Sequence, residues 1–554
     1  YFKAETDRLA ASCLADIKTL DDWNSRKDKY RSQMHEMLGL DPMPPRTPLK
    51  VTVTGKVQHE DFEVWKVHYQ SMPRLYVTGN LYVPKGLRKP APTILYVCGH
   101  GRVKKGDISY GNKVHYQHHG VWFARNGYVC LVIDTLQLGE IEGIHHGTYN
   151  HNMWWWNSRG YSSAAVETWN CIRGLDYLET LGFVDKKRFG VTGRSGGGAY
   201  SWWISALDER IKVSCPVAGI ADLQNHVYAG FPNSGRLAHG TVEGHCDCMF
   251  HVNTYRWDFA QVAALVAPRP LMILNTDDDR IFPLDGVNRI FNQVRHIYDL
   301  HGKRDKLGLV IAPGGHSDTQ SLRVPAFNWF NRHLKGEEPP ITITAEKLFE
   351  PEQLKVFDKL PADELNTKIQ DHFTRVANKK GQLNPKKALA DLKKKTFGGW
   401  PVKPGGLMIK KAFDTRHKGV RFAAYDFDSQ KEMRLRIYVA HHEKLKDVSD
   451  IHVEVLAEEE WHKYLQLGRP AFAEVWDEEL KLAGIQADTP VTDKMRQALD
   501  KQLGHVRDHP GEVYITFMPR GVGLTTLTQN ERHLTQARRR FMLLGQTLAG
   551  MQVW

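Results

Sequence analysis

Short apolar runs alternate with stretches of helical period over most of the chain. The opening segment from Ala4 to Leu38 is polar and repeats apolar residues at helical spacing, and Asp41-Pro-Met-Pro-Pro-Arg46 ends it. Val51 to Val53, Phe62 to His68 and Tyr76 to Val83 then alternate apolar and polar residues, with β-branched and aromatic content, as antiparallel strands do. Thr93 to Val97, Tyr128 to Ile133, Phe189 to Thr192, Ile211 to Cys215, Leu271 to Asn275 and Leu309 to Ala312 are continuous apolar runs, the signature of strands buried on both faces. Helical segments from Ser162 to Leu181, Asp285 to Leu300 and Ser321 to Leu334 lie between or after them. Alternation of this kind predicts an α/β fold, a mostly parallel sheet with helices on both faces.

Charge and proline at Gly336-Glu-Glu-Pro-Pro340 stop the last of these helices. The expected organisation is therefore an N-terminal helical segment (1–45), a main α/β domain (46–340) and a C-terminal region (341–554). That last region begins with charged helices and resumes strand-like runs at Leu435 to Val439, Ile451 to Leu456 and Val513 to Phe517. Its order echoes the main domain as far as the Gly99-His100-Gly101 turn and then breaks off. An incomplete second copy and a plain accessory domain are the two readings.

Composition narrows the partners. The 554 residues are 41% hydrophobic and carry a net charge of +12, enough for folded cores and basic enough to suit a polyanion. Much of the basic excess falls in helical stretches around Lys379, Lys386 and Lys393 to Lys395, which read as solvated helix faces. With no helix-turn-helix, zinc-finger or RNA-binding signature, nucleic acid is not an expected partner, whereas an acidic polysaccharide fits the charge. No run reaches the roughly 20 apolar residues of a membrane span. Seven cysteines, several inside apolar runs, read as buried free thiols. A first residue of Tyr reads as a processed or trimmed amino terminus, fitting a secreted or periplasmic protein, with the cytoplasm the other reading. Nothing in the pattern bears on oligomeric state.

Candidate chemistry starts at Gly193-Arg194-Ser195-Gly196-Gly197, which follows an apolar strand and precedes a small-residue helix start. This is the pattern of a nucleophile elbow, where glycines flank a serine held on a strained strand-to-helix turn and the N–H of Gly196 faces developing negative charge. A phosphate loop would need Gly-Lys-Ser/Thr or wider glycine spacing, and neither is present. An elbow serine needs a base and an acid further along the chain. Leu309 to Ala312 delivers His316 on a glycine-flanked loop, and Leu271 to Asn275 delivers Asp277, Asp278 and Asp279 on another. The second oxyanion donor is expected from the turn Gly99-His100-Gly101-Arg102, as the N–H of Gly101 or Arg102. Aromatic loops surround these positions, with Trp155 and Trp156, together with His100 and Arg194, as candidate substrate contacts. The stretch His245-Cys246-Asp247-Cys248 lacks the paired Cys-x-x-Cys arrangement of structural zinc sites, so no metal and no cofactor is expected.

Taken together, Tyr76-Val-Thr-Gly-Asn-Leu-Tyr82, Cys98-Gly-His-Gly101, Gly193-Arg-Ser-Gly-Gly197, Asn275-Thr-Asp-Asp-Asp-Arg-Ile-Phe-Pro283 and Gly314-Gly-His316 resemble the acetyl xylan esterase and dienelactone-hydrolase-like branch of the α/β-hydrolases, over roughly residues 30 to 335. The resemblance implies a Ser-His-Asp triad of Ser195, His316 and Asp279, since related hydrolases place the acid four residues before a proline, here Pro283. Asp277 and Asp278 remain alternatives as loop caps. It also implies hydrolysis of small esters, often on polysaccharide, and makes the C-terminal region a hydrolase-like or accessory domain without its own elbow. A uronic acid methyl esterase, a prolyl-oligopeptidase-like peptidase and a non-catalytic carbohydrate-binding scaffold are the rival functions.

Overall fold

The computed structural model describes residues 1–230, 240–342, 345–374, 384–398, 405–484, 491–528 and 530–553. Lys379 and Trp554 lie outside them. Two compact units are present: Phe2–Leu383 with Met542–Gly545, and Asn384–Phe541 with Gln546–Trp554 and Tyr1.

The larger unit is built on nine strands, β1 (Thr52–Gln58), β2 (Phe62–Met72), β3 (Leu75–Pro84), β4 (Ala91–Val97), β5 (Val129–Ile133), β6 (Val184–Arg194), β7 (Ile211–Val217), β8 (Leu271–Thr276) and β9 (Leu307–Ala312), in the order β1-β2-β3-β5-β4-β6-β7-β8-β9. The first three are joined by antiparallel pairing, and β5 onward is parallel. Strands β4 and β5 are buried at every residue, as their unbroken apolar runs require. The β4–β6 register sets Val97 opposite Gly193, so the turn after β4 emerges beside the elbow after β6.

Helices α1 (Phe2–Ser12) and α2 (Leu20–Leu38) open the chain. They are part of this unit and not a separate segment: Trp23, Met34, Met37 and Leu38 are buried in the same core as the sheet. A Thr19–Asp22 capping box fixes the start of α2. Helix α3 (Gln117–Arg125), which the sequence pattern does not reveal, crosses between β4 and β5, and α4 (Ser163–Leu178), α5 (Gly196–Leu207), α6 (Leu284–Leu300) and α7 (Gln320–Phe330) follow.

The boundary expected near residue 340 is displaced to Leu383. Proline and charge do end the helix there, but the chain then runs back along the antiparallel side of the sheet. Asn80 Nδ2 donates to the Leu354 carbonyl at 3.0 Å, and Gln117 Nε2 to that of Phe349 at 2.8 Å. The Glu140 carboxylate accepts the N–H groups of Val356 and Phe357 at 2.6 and 2.9 Å.

Glu140 also belongs to a buried ionic trio. Lys113 Nζ lies 2.8 Å from Asp134 and 2.6 Å from Glu140, with no solvent exposure of the Lys113 and Glu140 side chains. Asp134 accepts further bonds from the Lys113 N–H and Thr78 Oγ1, so both carboxylates are fully partnered. Replacing Lys113 by methionine strands two buried anions, and a loss of about 3–5 kcal/mol of unfolding free energy is expected in urea melts. A loss below about 1 kcal/mol would mean that the trio relaxes into water.

The smaller unit carries β10 (Lys410–His417), β11 (Val420–Gln430), β12 (Met433–His442), β13 (Asp450–Val455) and β14 (Glu512–Phe517), ordered β10-β11-β12-β14-β13. Three antiparallel neighbours lead to β14, and β13 adds parallel to β14. Both order and sense repeat those of β1-β2-β3-β5-β4. Helices α8 (Glu458–Gly468), α9 (Ala473–Leu482) and α10 (Asp493–Asp508) occupy the crossover that α3 fills in the larger unit. They bury Trp461, Trp476 and Leu503 with Phe422 and Tyr438 of the sheet.

Candidate active site

Ser195 stands between β6 and α5 at φ 61°, ψ −121°, a region that a side chain rarely adopts. Tertiary contacts hold it there. Its N–H donates to the Val217 carbonyl at 2.9 Å, and its carbonyl accepts from Ala199 at 3.0 Å. The flanking glycines are steric requirements: a Cβ on Gly193 or Gly197 would lie 2.2 or 2.1 Å from the Val97 carbonyl oxygen of β4. Gly196 is the first residue of α5, so its N–H is among those a helix leaves unbonded.

Parallel pairing of β8 with β9 brings the loops after them together. His316 Nδ1 lies 2.8 Å from Asp279 Oδ2, and the other carboxylate oxygen accepts the N–H groups of Ile281 and Phe282 at 2.8 and 3.0 Å. The Asp279 side chain is fully buried while that of His316 is 18% exposed, so the pair has one dry end and one accessible end. Asp277 does something else: its Oδ1 takes the Gly314 N–H at 2.8 Å and shapes the base loop. Asp278 contributes its backbone, N–H to Gly314 carbonyl, at 3.0 Å.

Arg194, a candidate substrate contact, donates to the His316 carbonyl at 2.6 Å and props the base loop. The two expected oxyanion donors, Gly101 and Arg102, both stand on the turn after β4, where a Cβ on Gly101 would fall 2.5 Å from the His115 ring. The Arg102 side chain is half exposed and lies 3.5 Å from Glu142.

Nor do both tryptophans offer a sugar platform. Trp156 is 1% exposed, its ring filling the space over Gly147 and packing edge-on against Tyr161 at 4.9 Å. Trp155 is partly exposed, and the Arg159 guanidinium covers its ring at 4.7 Å. His100 does reach the site, with its ring against Gly196.

A further cluster supports the base loop and escaped sequence reading. His118 and His119 of α3 place their Nε2 atoms 3.3 and 2.9 Å from one oxygen of Asp318, two residues past His316, and Arg323 Nε lies 3.1 Å from the other. Burial opposes ionisation of Asp318, but the two rings and Arg323 hold its carboxyl well below the ordinary range. Desolvation pushes His118 down to about 3, so its ring is neutral at pH 7 and donates through Nε2. The only sequence signal was an adjacent histidine pair in a stretch with no clear period.

The depressed His118 pKa fixes a sign for acid stability. Between about pH 6.5 and 3 the unfolded chain binds a proton at this ring that the folded chain does not, so stability falls as pH falls. One such group gives a slope of about 1.4 kcal/mol per pH unit. His118→Gln keeps a donor for Asp318 and is expected to flatten the dependence of unfolding free energy on pH by that amount. An unchanged slope would show the ring to be already protonated in the fold.

Known proteins share sequence with this chain over its larger unit. A model of the Abhydrolase family matches residues 10–310. YtaP of Bacillus subtilis (strain 168), named as a hydrolase, is 26% identical over 315 residues, which cover 55% of this chain and 98% of that one. The 4-O-methyl-glucuronoyl methylesterase of Phanerochaete carnosa is 25% identical over 243 residues, covering 39% of this chain, and the chain spans 58% of that relative's length. Among solved structures, methylesterase BT1017 superposes with a TM-score of 0.47 at 21% identity, over 71% of this chain and 81% of that one. A glucuronoyl esterase from Solibacter usitatus gives 0.44 at 18% identity, over 57% and 94%. Since the family model spans more than half of its residues, the chain belongs to the Abhydrolase family, and its larger unit has the α/β-hydrolase fold.

Proposed function

We propose that the protein is a serine carboxylesterase that removes small ester substituents from polysaccharide. The observation that carries this reading is the buried Asp279 carboxylate 2.8 Å from His316, whose carbonyl accepts from Arg194, the residue before the strained elbow serine. In the proposed reaction His316 takes the Ser195 hydroxyl proton as Oγ attacks the ester carbonyl, and Asp279 holds the ring with Nδ1 protonated and Nε2 free to accept. The N–H of Gly196 and that of Gly101 or Arg102 receive the oxyanion. Protonated His316 then gives its proton to the departing alkoxide, and water activated by the same ring releases the acid and restores Ser195.

Two ester classes fit. An acetyl group on xylan agrees with the branch that the motifs resemble, and a methyl ester of a uronic acid agrees with the named activity of the Phanerochaete carnosa relative. The net charge of +12 favours an acidic sugar chain in either case. The peptidase rival leans on a large propeller before the catalytic unit, whereas residues 2–84 form two helices and three strands of the hydrolase sheet. Incubation with acetylated xylan, methyl-esterified pectin and methyl glucuronate, scored for released acetate or methanol, separates the classes. Cleavage of proline-containing peptides with no release from any ester would overturn the reading.

A further inference from the structure

The loop from Gly240 to Phe250 lies over the turn after β4, and it carries chemistry that the proposed ester hydrolysis leaves unused. One nitrogen each from His100 and His145 and the sulfur of Cys246 lie within 4.8 Å of one another. The Cys248 sulfur adds a fourth donor, 3.7 Å from His100 Nε2. The two imidazoles stack with centroids 5.2 Å apart at 29°, and the two cysteines are 3% and 0% exposed. His145 Nε2 is buried with no hydrogen-bond partner, so this ring has a nitrogen free for a ligand.

We propose that His100, His145, Cys246 and Cys248 bind a zinc ion. Two imidazoles and the Cys246 sulfur, with the Cys248 sulfur beside His100 and both cysteines buried, are the soft, borderline donor set that tetrahedral zinc takes, and they suit magnesium or calcium poorly. Binding is balanced by loss of the two thiol protons to solvent, each sulfur entering as thiolate. The sequence hides such a site because its ligands come from three loops. Only Cys246 and Cys248 are neighbours, and a Cys-x-Cys pair without a second pair nearby does not read as a zinc motif.

Position gives the ion a task. A Cβ placed on Gly196 would fall 2.6 Å from His100 Cε1 and 3.5 Å from Nε2, so the His100 ring rests against the residue after Ser195 while its Nε2 lies 3.7 Å from the Cys248 sulfur. Metal on Nε2 would clamp the turn His100-Gly101-Arg102, which carries the proposed oxyanion donor, to the loop that holds both cysteines. The ion is therefore a structural brace for the oxyanion turn, with no contact to the substrate required. Its existence does not depend on the esterase reading.

The test is metal binding to the full chain. Protein stripped with a chelator under reducing conditions is titrated with cobalt(II), then with zinc(II) in competition. The expected result is one equivalent of cobalt, with the intense visible bands of a tetrahedral site and a near-ultraviolet sulfur-to-cobalt charge-transfer band, displaced by zinc. Cys246→Ser should abolish the charge-transfer band or shrink it, and His145→Gln should weaken binding by at least about tenfold. Cys13→Ser, a buried cysteine elsewhere, should change neither. Should a variant fail to fold, the wild-type melting temperature decides: it must rise with zinc and not with magnesium. Stripped protein that takes up no cobalt, or takes it up with an octahedral spectrum lacking the sulfur band, overturns the proposal. So does a zinc-independent melting temperature.

Discussion

Replacing Ser195 by alanine is expected to lower turnover of an aryl acetate by about a million-fold while leaving the fold intact. The argument is local. Ser195 Oγ is the only atom removed, Gly193 and Gly197 keep their approach to Val97, and the backbone bonds of residue 195 to Val217 and Ala199 persist. What remains is catalysis by the oxyanion donors and binding, worth about 10³–10⁴ over water in serine hydrolases of this kind. A fluorophosphonate probe should label the wild-type protein at residue 195 and leave the alanine variant unlabelled. Labelling that survives in the variant, or hydrolysis near the wild-type rate, would sink the assignment of Ser195, and an unreactive wild-type protein would favour a binding scaffold.

The second large effect concerns the acid. Asp279→Asn should lower kcat by about 10⁴, and Asp277→Asn by no more than a few-fold. Asp279 Oδ1 accepts from Ile281 and Phe282, which pins the oxygen of an asparagine at that position. The amide NH₂ is then forced toward His316 Nδ1, which must become an acceptor. The ring proton moves to Nε2, and a base protonated there cannot take a proton from Ser195. Asp277 Oδ1 accepts from the Gly314 N–H, a role that an asparagine oxygen fills equally well. Equal losses for the two variants would place the acid elsewhere in the loop.

These residues also show how far the sequence could be read. Each of the nine sheet strands overlaps an alternating or a continuous apolar run, so their existence was legible, although several extend two to five residues beyond the run, as β6 does from Val184 to Arg194. Strands β10 and β11 were missed because their charged residues, such as Lys410, Lys411 and Asp426, mask the alternation. The turn at Ser195 and the meeting of Asp279 with His316 were legible because each residue sits at a strand end with glycine or proline beside it. Trp156 was misread because residue type suggests what a side chain can touch, while the direction it points is set by tertiary packing. Lys113 looks like any loop lysine, and only the sheet brings Asp134 and Glu140 to it. The C-terminal echo had a physical basis in the repeated strand order, visible in sequence only as a succession of short runs.

The backbone at Ser195 bears on what natural variation and laboratory selection can do to this chain. A positive φ outside the favoured left-handed region costs about 1–3 kcal/mol for a residue with a side chain, and glycine would avoid most of it. Selection for heat resistance alone, with no ester to hydrolyse, should therefore enrich glycine at position 195, a stabilised and inert lineage. Persistence of serine there under selection for hydrolysis would measure, generation by generation, how strongly the reaction is needed.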